Sequence, residues 1–260
     1  MLVKGILYFL VIIVANTVGA VSGMGGGVII KPVLDLFAMD SVVAISFYST
    51  VAVFVMSIVS TFRQVKNGMS IRLKLVGYIS LGSILGGVLG NTLFEELLRL
   101  SGSQSVQLFQ IILTIITLIF AFLYSRFEWK NFHCRHFSWY ILCGLILGFL
   151  ASLLGIGGGP INVSLLMLMF AMPIKDATVY SICTIFFSQL SKLLTIAMST
   201  GFERYDLTIL LYIIPAAILG GLLGAKASHL FSSGKVTLIF QVIILVVLII
   251  NIFNGIRLFL

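Results

Sequence analysis

Eight long apolar runs, at 6–22, 42–62, 75–93, 106–125, 137–154, 177–199, 207–225 and 236–256, leave this chain few folds to choose from. Each meets or nears the ~20 residues a helix needs to cross the ~30 Å hydrocarbon layer of a bilayer. Inside lipid only helices and closed barrels satisfy their own backbone groups, and continuous apolar runs mean helices. With 60% hydrophobic and 9% charged residues and a mean hydropathy of +1.20, no stretch is left over for a soluble domain. The sequence predicts an all-α, polytopic membrane protein whose first partner is the lipid bilayer.

The net charge of +8 does not indicate nucleic acid, because no basic run exceeds a short loop. Lysine and arginine here set orientation in the membrane. The three cysteines (Cys134, Cys143, Cys183) are odd in number and scattered, so no disulfide framework is indicated. Residues 1–22 resemble a signal peptide in isolation. The internal repeat argues that they are a retained span.

Shifted by 132 residues, Gly23, Gly25, Gly26 and Gly27 fall on Gly155, Gly157, Gly158 and Gly159. With one more residue of offset, "FAM" at 37–39 falls on "FAM" at 170–172, and Gly68 on Gly201. One further residue brings "ILGGVLG" at 84–90 onto "ILGGLLG" at 218–224. Residues 1–22 then match the internal run 137–154. The chain therefore divides into a first transmembrane repeat, 1–130, and a second, 131–260, within one integral membrane domain.

Each repeat holds four long runs and one short one, at 28–38 and 160–172. An odd number of crossings per repeat inverts the second copy, and loop charge arbitrates because basic residues gather on the cytoplasmic side. With five crossings, one side holds Arg63, Lys66, Arg72, Lys74, Arg126, Lys130, Arg135, Lys175, Lys226 and Lys235. The other side holds Lys4, Arg99, Arg204 and Arg257, with Lys31 and Lys192 inside the membrane. Four crossings would place the basic 63–74 loop and the acidic 203–206 loop on one face. Five-plus-five separates the charges better, predicting inverted repeats with both termini outside. That plan recurs in secondary transporters, whose substrates bind near the midplane at discontinuous helices.

The short runs, at 11 to 13 residues, reach roughly 17–20 Å, so the glycine turn before each must lie below the surface. Glycine permits positive φ and lets a ligand approach the backbone. Pro160 suits the first turn of a helix, where its missing N–H costs nothing. A helix N-terminus offers free N–H groups and partial positive charge, which favours anions. Two such ends aimed at one volume predict a small anionic substrate held by Gly25, Gly26, Gly27, Gly157, Gly158, Gly159 and Asn162. Lys31, one turn into the first short helix, adds a full charge, and a lysine at depth marks function by default. Against this, the glycines would equally permit a tight hairpin between packed helices.

Within "SICTIFFSQLSKLLTI", Ser181, Thr184, Ser188, Ser191 and Lys192 form a polar stripe at helical spacing. Either Ser188, Gln189 and Lys192 wall a hydrophilic pathway, or the small polar residues bond between helices while Lys192 snorkels outward. Gly82, Gly86 and Gly90, and Ala216, Gly220 and Gly224, recur every fourth residue, the pattern of close helix packing; Gly144, Gly148 and Ser152 fit it too. Such faces suit packing within the chain or in a homo-oligomer. Pro215 predicts a kink. "HCRH" at 133–136 reads as a solvated loop rather than a metal site, and all three histidines fall in loops. No nucleophile has a base in reach, so the chain does not read as an enzyme and needs no cofactor. Asp35, Asp40 and Asp176 fall at short-helix ends or boundaries.

With "GMGGGVIIKPVL" and "GIGGGPINVSLL" both in place, the chain resembles the sulfite exporter TauE/SafE family over essentially its whole length. The resemblance implies a secondary transporter of sulfite, thiosulfate or organosulfonates in a bacterial or archaeal inner membrane. Where the family motif continues into an apolar residue and proline, this chain has Lys31 before Pro32, and Val163 and Ser164 in the second copy. An anion-selective channel using the same helix ends is the alternative.

Overall fold

The computed structural model describes residues 2–66, 72–127 and 129–259; Gly68 of the repeat alignment lies outside them, as does part of the 63–74 loop. Nine α-helices account for nearly all of the described chain, and there is no strand among the described residues. They are α1 (Leu2–Ser22), α2 (Gly27–Phe37), α3 (Val42–Lys66), α4 (Leu73–Arg126), α5 (Phe137–Leu153), α6 (Pro160–Phe170), α7 (Ile174–Met198), α8 (Leu210–Leu230) and α9 (Ser233–Phe259). Seven segments among the described residues are long and apolar enough to span a bilayer. Their outward faces carry Leu10, Leu81, Ile116, Leu211 and Ile249, as apolar as the buried Ile12, Met56, Leu147 and Phe240. A surface no more polar than the core is what a lipid solvent selects.

The 54 residues of α4 would make a rod of about 80 Å, far longer than one crossing. The rod is broken at Gly102, at φ 73° and ψ 172°. A side chain at Gly90 would meet the backbone of Phe149 and Leu153, while Gln110 Nε2 donates to the Leu153 carbonyl at 2.7 Å. Residues on both sides of the break thus reach one end of α5, so α4 is a helical hairpin. Its two arms correspond to the separate runs 75–93 and 106–125.

Helix directions follow from the same kind of contact. Asn16 of α1 donates to the Ala52 carbonyl of α3, and the Tyr8 and Tyr48 rings meet edge to face, so α1 and α3 run the same way. Ser60 donates to Gly221 O and Tyr48 to Asp206 O, which sets α8 parallel to α3. Ser83 donates to Thr184 O and the Arg72 N–H to Tyr180, aligning the first arm of α4 with α7. Between these groups the sense reverses: Lys192 reaches Ser46, whereas Phe186 stacks on Phe54, so α7 runs against α3.

Local chemistry terminates the short helices. Pro160 stands in the first turn of α6, and His136 Nδ1 accepts from the Ser138 N–H at the start of α5. The repeated "FAM" marks the C-termini of α2 and α6, where Ala38 and Ala171 take the left-handed conformation at φ 51° and 52°. Their N–H groups close back onto carbonyls of the last turn. His229 stands in the last turn of α8 rather than in a loop, since Ala225–His229 continues the helix beyond its apolar run.

The small-residue faces pack backbone on backbone. A Cβ on Gly82 would strike the Ile141 carbonyl, one on Gly86 the Leu145 carbonyl, and one on Gly224 the Thr17 carbonyl. Gly86→Val is therefore expected to force α4 from α5 and cost at least about 1–3 kcal/mol. A thermal unfolding comparison in detergent against Gly77→Ala, a site with nothing within 4 Å, measures it.

Candidate functional site

The two glycine turns share left-handed angles at two matched positions and then differ: Gly26 is right-handed at φ −68° where Gly158 has φ 129°, so α2 begins at Gly27 and α6 only at Pro160. Gly23 and Gly25 have φ of 73° and 75°, Gly155 and Gly157 of 66° and 67°. The Gly25 N–H reaches back to the Gly19 carbonyl at 3.4 Å and the Gly157 N–H to the Ala151 carbonyl at 3.3 Å. Residues with a Cβ rarely adopt these angles, so glycine is required at each.

The turns meet. A Cβ on Gly25 would lie 3.6 Å from the Gly157 carbonyl oxygen, and one on Gly27 would strike the Ile156 carbonyl. A Cβ on Gly25 or Gly157 would meet Val53 of α3, and one on Gly25 or Gly158 would meet Ile185 of α7, so one apolar residue from each helix flanks both turns. From this junction α2 and α6 diverge. The end of α2 meets Arg257, which donates to Leu36 O, and Asp40 just beyond it bonds Lys4. The end of α6 receives the N–H groups of Phe132 and Cys134. Both N-termini therefore stand at the junction; Pro160 has no N–H, and the Ile29 and Asn162 N–H groups bond the Gly26 and Gly159 carbonyls, which leaves those of Gly27, Val28 and Ile161 without intrahelical partners.

Polar side chains ring the junction with bonding capacity unspent. Asn162, 1% exposed, finds a partner for neither Nδ2 nor Oδ1 among the described residues, and its Nδ2 lies against Gly158. Gln189 lies against Gly157 with Oε1 unpartnered, while its Nε2 donates to Ser188 Oγ at 3.2 Å. Ser188 Oγ in turn donates to Ile185 O. Asn16 Oδ1 abuts Gly26 and Ser49 Oγ lies beside Gly27, both unpartnered. Buried polar atoms are almost always bonded, and these exceptions around one backbone feature make the junction the candidate site.

The two lysines inside the membrane differ. Lys31 Nζ pairs with Asp35 Oδ2 at 2.8 Å, both side chains under 5% exposed. Its charge is already answered, and it does not stand open toward the junction. Lys192 is as deeply buried but bonds only neutral acceptors, Ser46 Oγ at 2.9 Å and the Ser152 carbonyl at 3.0 Å, with the Phe94 ring centroid at 5.4 Å. Ser46 in turn packs on Gly155. Lys192 thus caps α5 beneath the second turn, and no carboxylate lies within ion-pair distance among the described residues.

Sequence reasoning missed Asn16, Ser46, Ser49 and the burial of Asp35. The spacing of Lys31 and Asp35, four residues apart on a helix, carried the signal for the pair. Single serines in apolar helices carry none. Cavities of about 370 Å³, beside Asn91, Glu95 and Thr195, and about 270 Å³, beside Arg72, Asp176 and Tyr180, lie toward opposite ends of the bundle, with the junction buried between them. The "HCRH" residues are away from the junction; His133, Arg135 and His136 are exposed. Among the described residues no cluster of three His, Cys, Asp or Glu could hold a metal.

The family model described as "Sulfite exporter TauE/SafE" matches residues 8–251, both glycine turns included. The chain belongs to that family. It is 25% identical over 255 residues to the "Probable membrane transporter protein YunE" of Bacillus subtilis, covering 90% of this chain and 92% of the relative. It is 28% identical over 229 residues to a "Probable membrane transporter protein" of Methanocaldococcus jannaschii, covering 82% and 79%. No solved structure matches the chain significantly. Family membership and both relatives make this a membrane transporter of the TauE/SafE family.

Proposed function

We propose that this protein is a secondary transporter of a small sulfur-containing anion of the sulfite, thiosulfate or organosulfonate class. The anion binds where the glycine turns meet, at the N-termini of α2 and α6. Gly25, Gly26 and Gly27 with Gly157, Gly158 and Gly159 supply close-approach backbone, Asn162, Ser188 and Gln189 orient the ligand, and Lys192 supplies charge. The convergence of two helix N-termini on a ring of unpartnered polar groups, with an unanswered lysine beneath, carries the reading. Partial positive charge at helix ends and a buried cation both favour an anion. The sulfur chemistry rests on the family.

We further propose that 1–130 and 131–260 are inverted copies in a bacterial or archaeal inner membrane, with both termini outside. The opposed courses of α3 and α7 support inversion. Lys66, Arg72, Arg126 and Lys175 gather at one end of the bundle, and Asp40, Glu95, Glu203 and Asp206 at the other, which supports the orientation. Single cysteines placed at Lys66 and Glu203 in a background lacking Cys134, Cys143 and Cys183 should label from opposite sides with an impermeant maleimide. Labelling from one side would remove the inverted arrangement.

Proteoliposome flux of sulfite, thiosulfate and methanesulfonate tests the function. Saturable uptake that accelerates with the same anion inside is expected of a carrier. Fast conductance without saturation would replace the carrier by a channel, and no flux of any of the three would overturn the substrate class.

A further inference from the structure

A buried ion pair is weak evidence for stability, because desolvating two charges costs about as much as their attraction returns. Inside a membrane that cost points to function. Lys31 and Asp35 are such a pair, on one face of a helix that starts at the junction. Asp35 Oδ1 has no hydrogen-bond partner among the described residues, so half of the carboxylate is left without one. Asp35 also lines a cavity of about 160 Å³ with Ala38, Gln107, Asn254 and Arg257, at the end of the bundle where α1 begins and α9 finishes. That cavity brings water-sized space up to the residue, whose carboxylate is itself buried. Of the charged and titratable groups on the elements packed against α2, Lys4 and Tyr8 of α1 bond Asp40, and Tyr48 of α3 donates to the Asp206 carbonyl. Arg257 of α9 borders the same cavity as Asp35 while donating to the Leu36 carbonyl, and Arg63, Lys66 and Lys235 stand at the far ends of α3 and α9. Lys31 is the one cation in ion-pair contact with Asp35 among the described residues.

We propose that Asp35 is the proton-binding residue that couples anion movement to a proton gradient, with Lys31 as the switch. This rests on the anion-transport reading above. A proton from water in the cavity bonds to Asp35 Oδ1, making a neutral carboxylic acid. The Lys31 ammonium keeps its proton and loses its counter-charge. One turn from Gly27, it then takes the transported anion as its new counter-charge, so proton and anion are bound together. When the anion leaves, the proton returns to water and the Lys31–Asp35 pair re-forms. For a monoanion the cycle moves one proton with one anion and no net charge.

Methanesulfonate is a suitable probe, because it stays a monoanion across the working range and a pH gradient cannot act through its own titration; thiosulfate serves as a second anion. In proteoliposomes carrying a lumenal pH dye, wild-type protein should acidify the lumen as the anion enters. It should also accumulate methanesulfonate about tenfold per unit of imposed pH difference. Asp35→Asn, close in shape, should keep anion exchange while losing both lumenal acidification and gradient-driven accumulation. The double variant Lys31→Met with Asp35→Leu, which leaves no unpaired buried charge, should show no proton coupling either. Anion entry without proton movement in the wild type overturns the inference whatever the variants do, and so does Asp35→Asn coupling as the wild type does. Absence of any anion flux in the wild type instead removes the transport reading on which it rests.

Discussion

Replacing Gly27 by alanine is expected to abolish transport. The added methyl would be driven into the Ile156 carbonyl, a backbone atom of the opposite turn, with Ser49 Oγ closing the other direction. A flexible side chain would yield; a carbonyl in a turn held by the Gly157 N–H bond to Ala151 does not. The methyl must therefore part α2 from the second turn, and displacing a binding group by about 1 Å costs as much as a hundredfold where positioning decides the rate. Overpacking adds a stability loss of about 1–3 kcal/mol. Gly77→Ala, on the open side of α4, should leave flux and melting temperature near those of the parent. Uptake by Gly27→Ala within a few-fold of the parent would show that contact between the turns is not needed.

Much of this architecture is legible in the sequence because a bilayer removes the usual ambiguity. Lipid permits helices and forbids exposed strand edges, so apolar length alone locates α1, α3, α5, α7, α8 and α9 within a few residues. What hydropathy does not show is where a helix continues past the apolar layer. Residues 94–105 look like a break, since Glu95, Glu96 and Arg99 interrupt the apolar run. Glutamate and arginine are good helix formers, and α4 stays helical to Gly102. The same holds for His229 at the end of α8.

The site divides along a similar line. Glycines with positive φ are visible because almost nothing else can stand there, and their spacing announces the pair of turns. Ser46, Ser49 and Asn16 are invisible because a lone small polar residue has no period; only packing decides that Ser46 meets Lys192 and Ser49 meets Gly27. Asp35 misleads for a related reason. Its place near a helix end suggests solvent, yet α1, α3 and α9 close around α2, leaving its side chain 3% exposed.

Two lysines that look alike in sequence should therefore behave in opposite ways. Lys192→Met removes a buried cation whose partners are neutral. Relief of desolvation offsets the loss of two hydrogen bonds of about 1 kcal/mol each, so the ligand-free melting temperature should change little. Anion binding should suffer instead: a hydrogen bond to a charged group is worth about 1.5–3 kcal/mol, which weakens affinity roughly ten- to a hundredfold. Stabilisation by sulfite or thiosulfate in a thermal-shift titration should move to correspondingly higher concentrations or vanish. Lys31→Met strands the Asp35 carboxylate, and breaking one side of a buried pair typically costs about 3–5 kcal/mol. That variant should melt well below the parent before any ligand is added. If Lys192→Met instead destabilises the free protein as much as Lys31→Met and binds anions as the parent does, Lys192 is a helix cap alone. The charge at the junction would then come from the ends of α2 and α6.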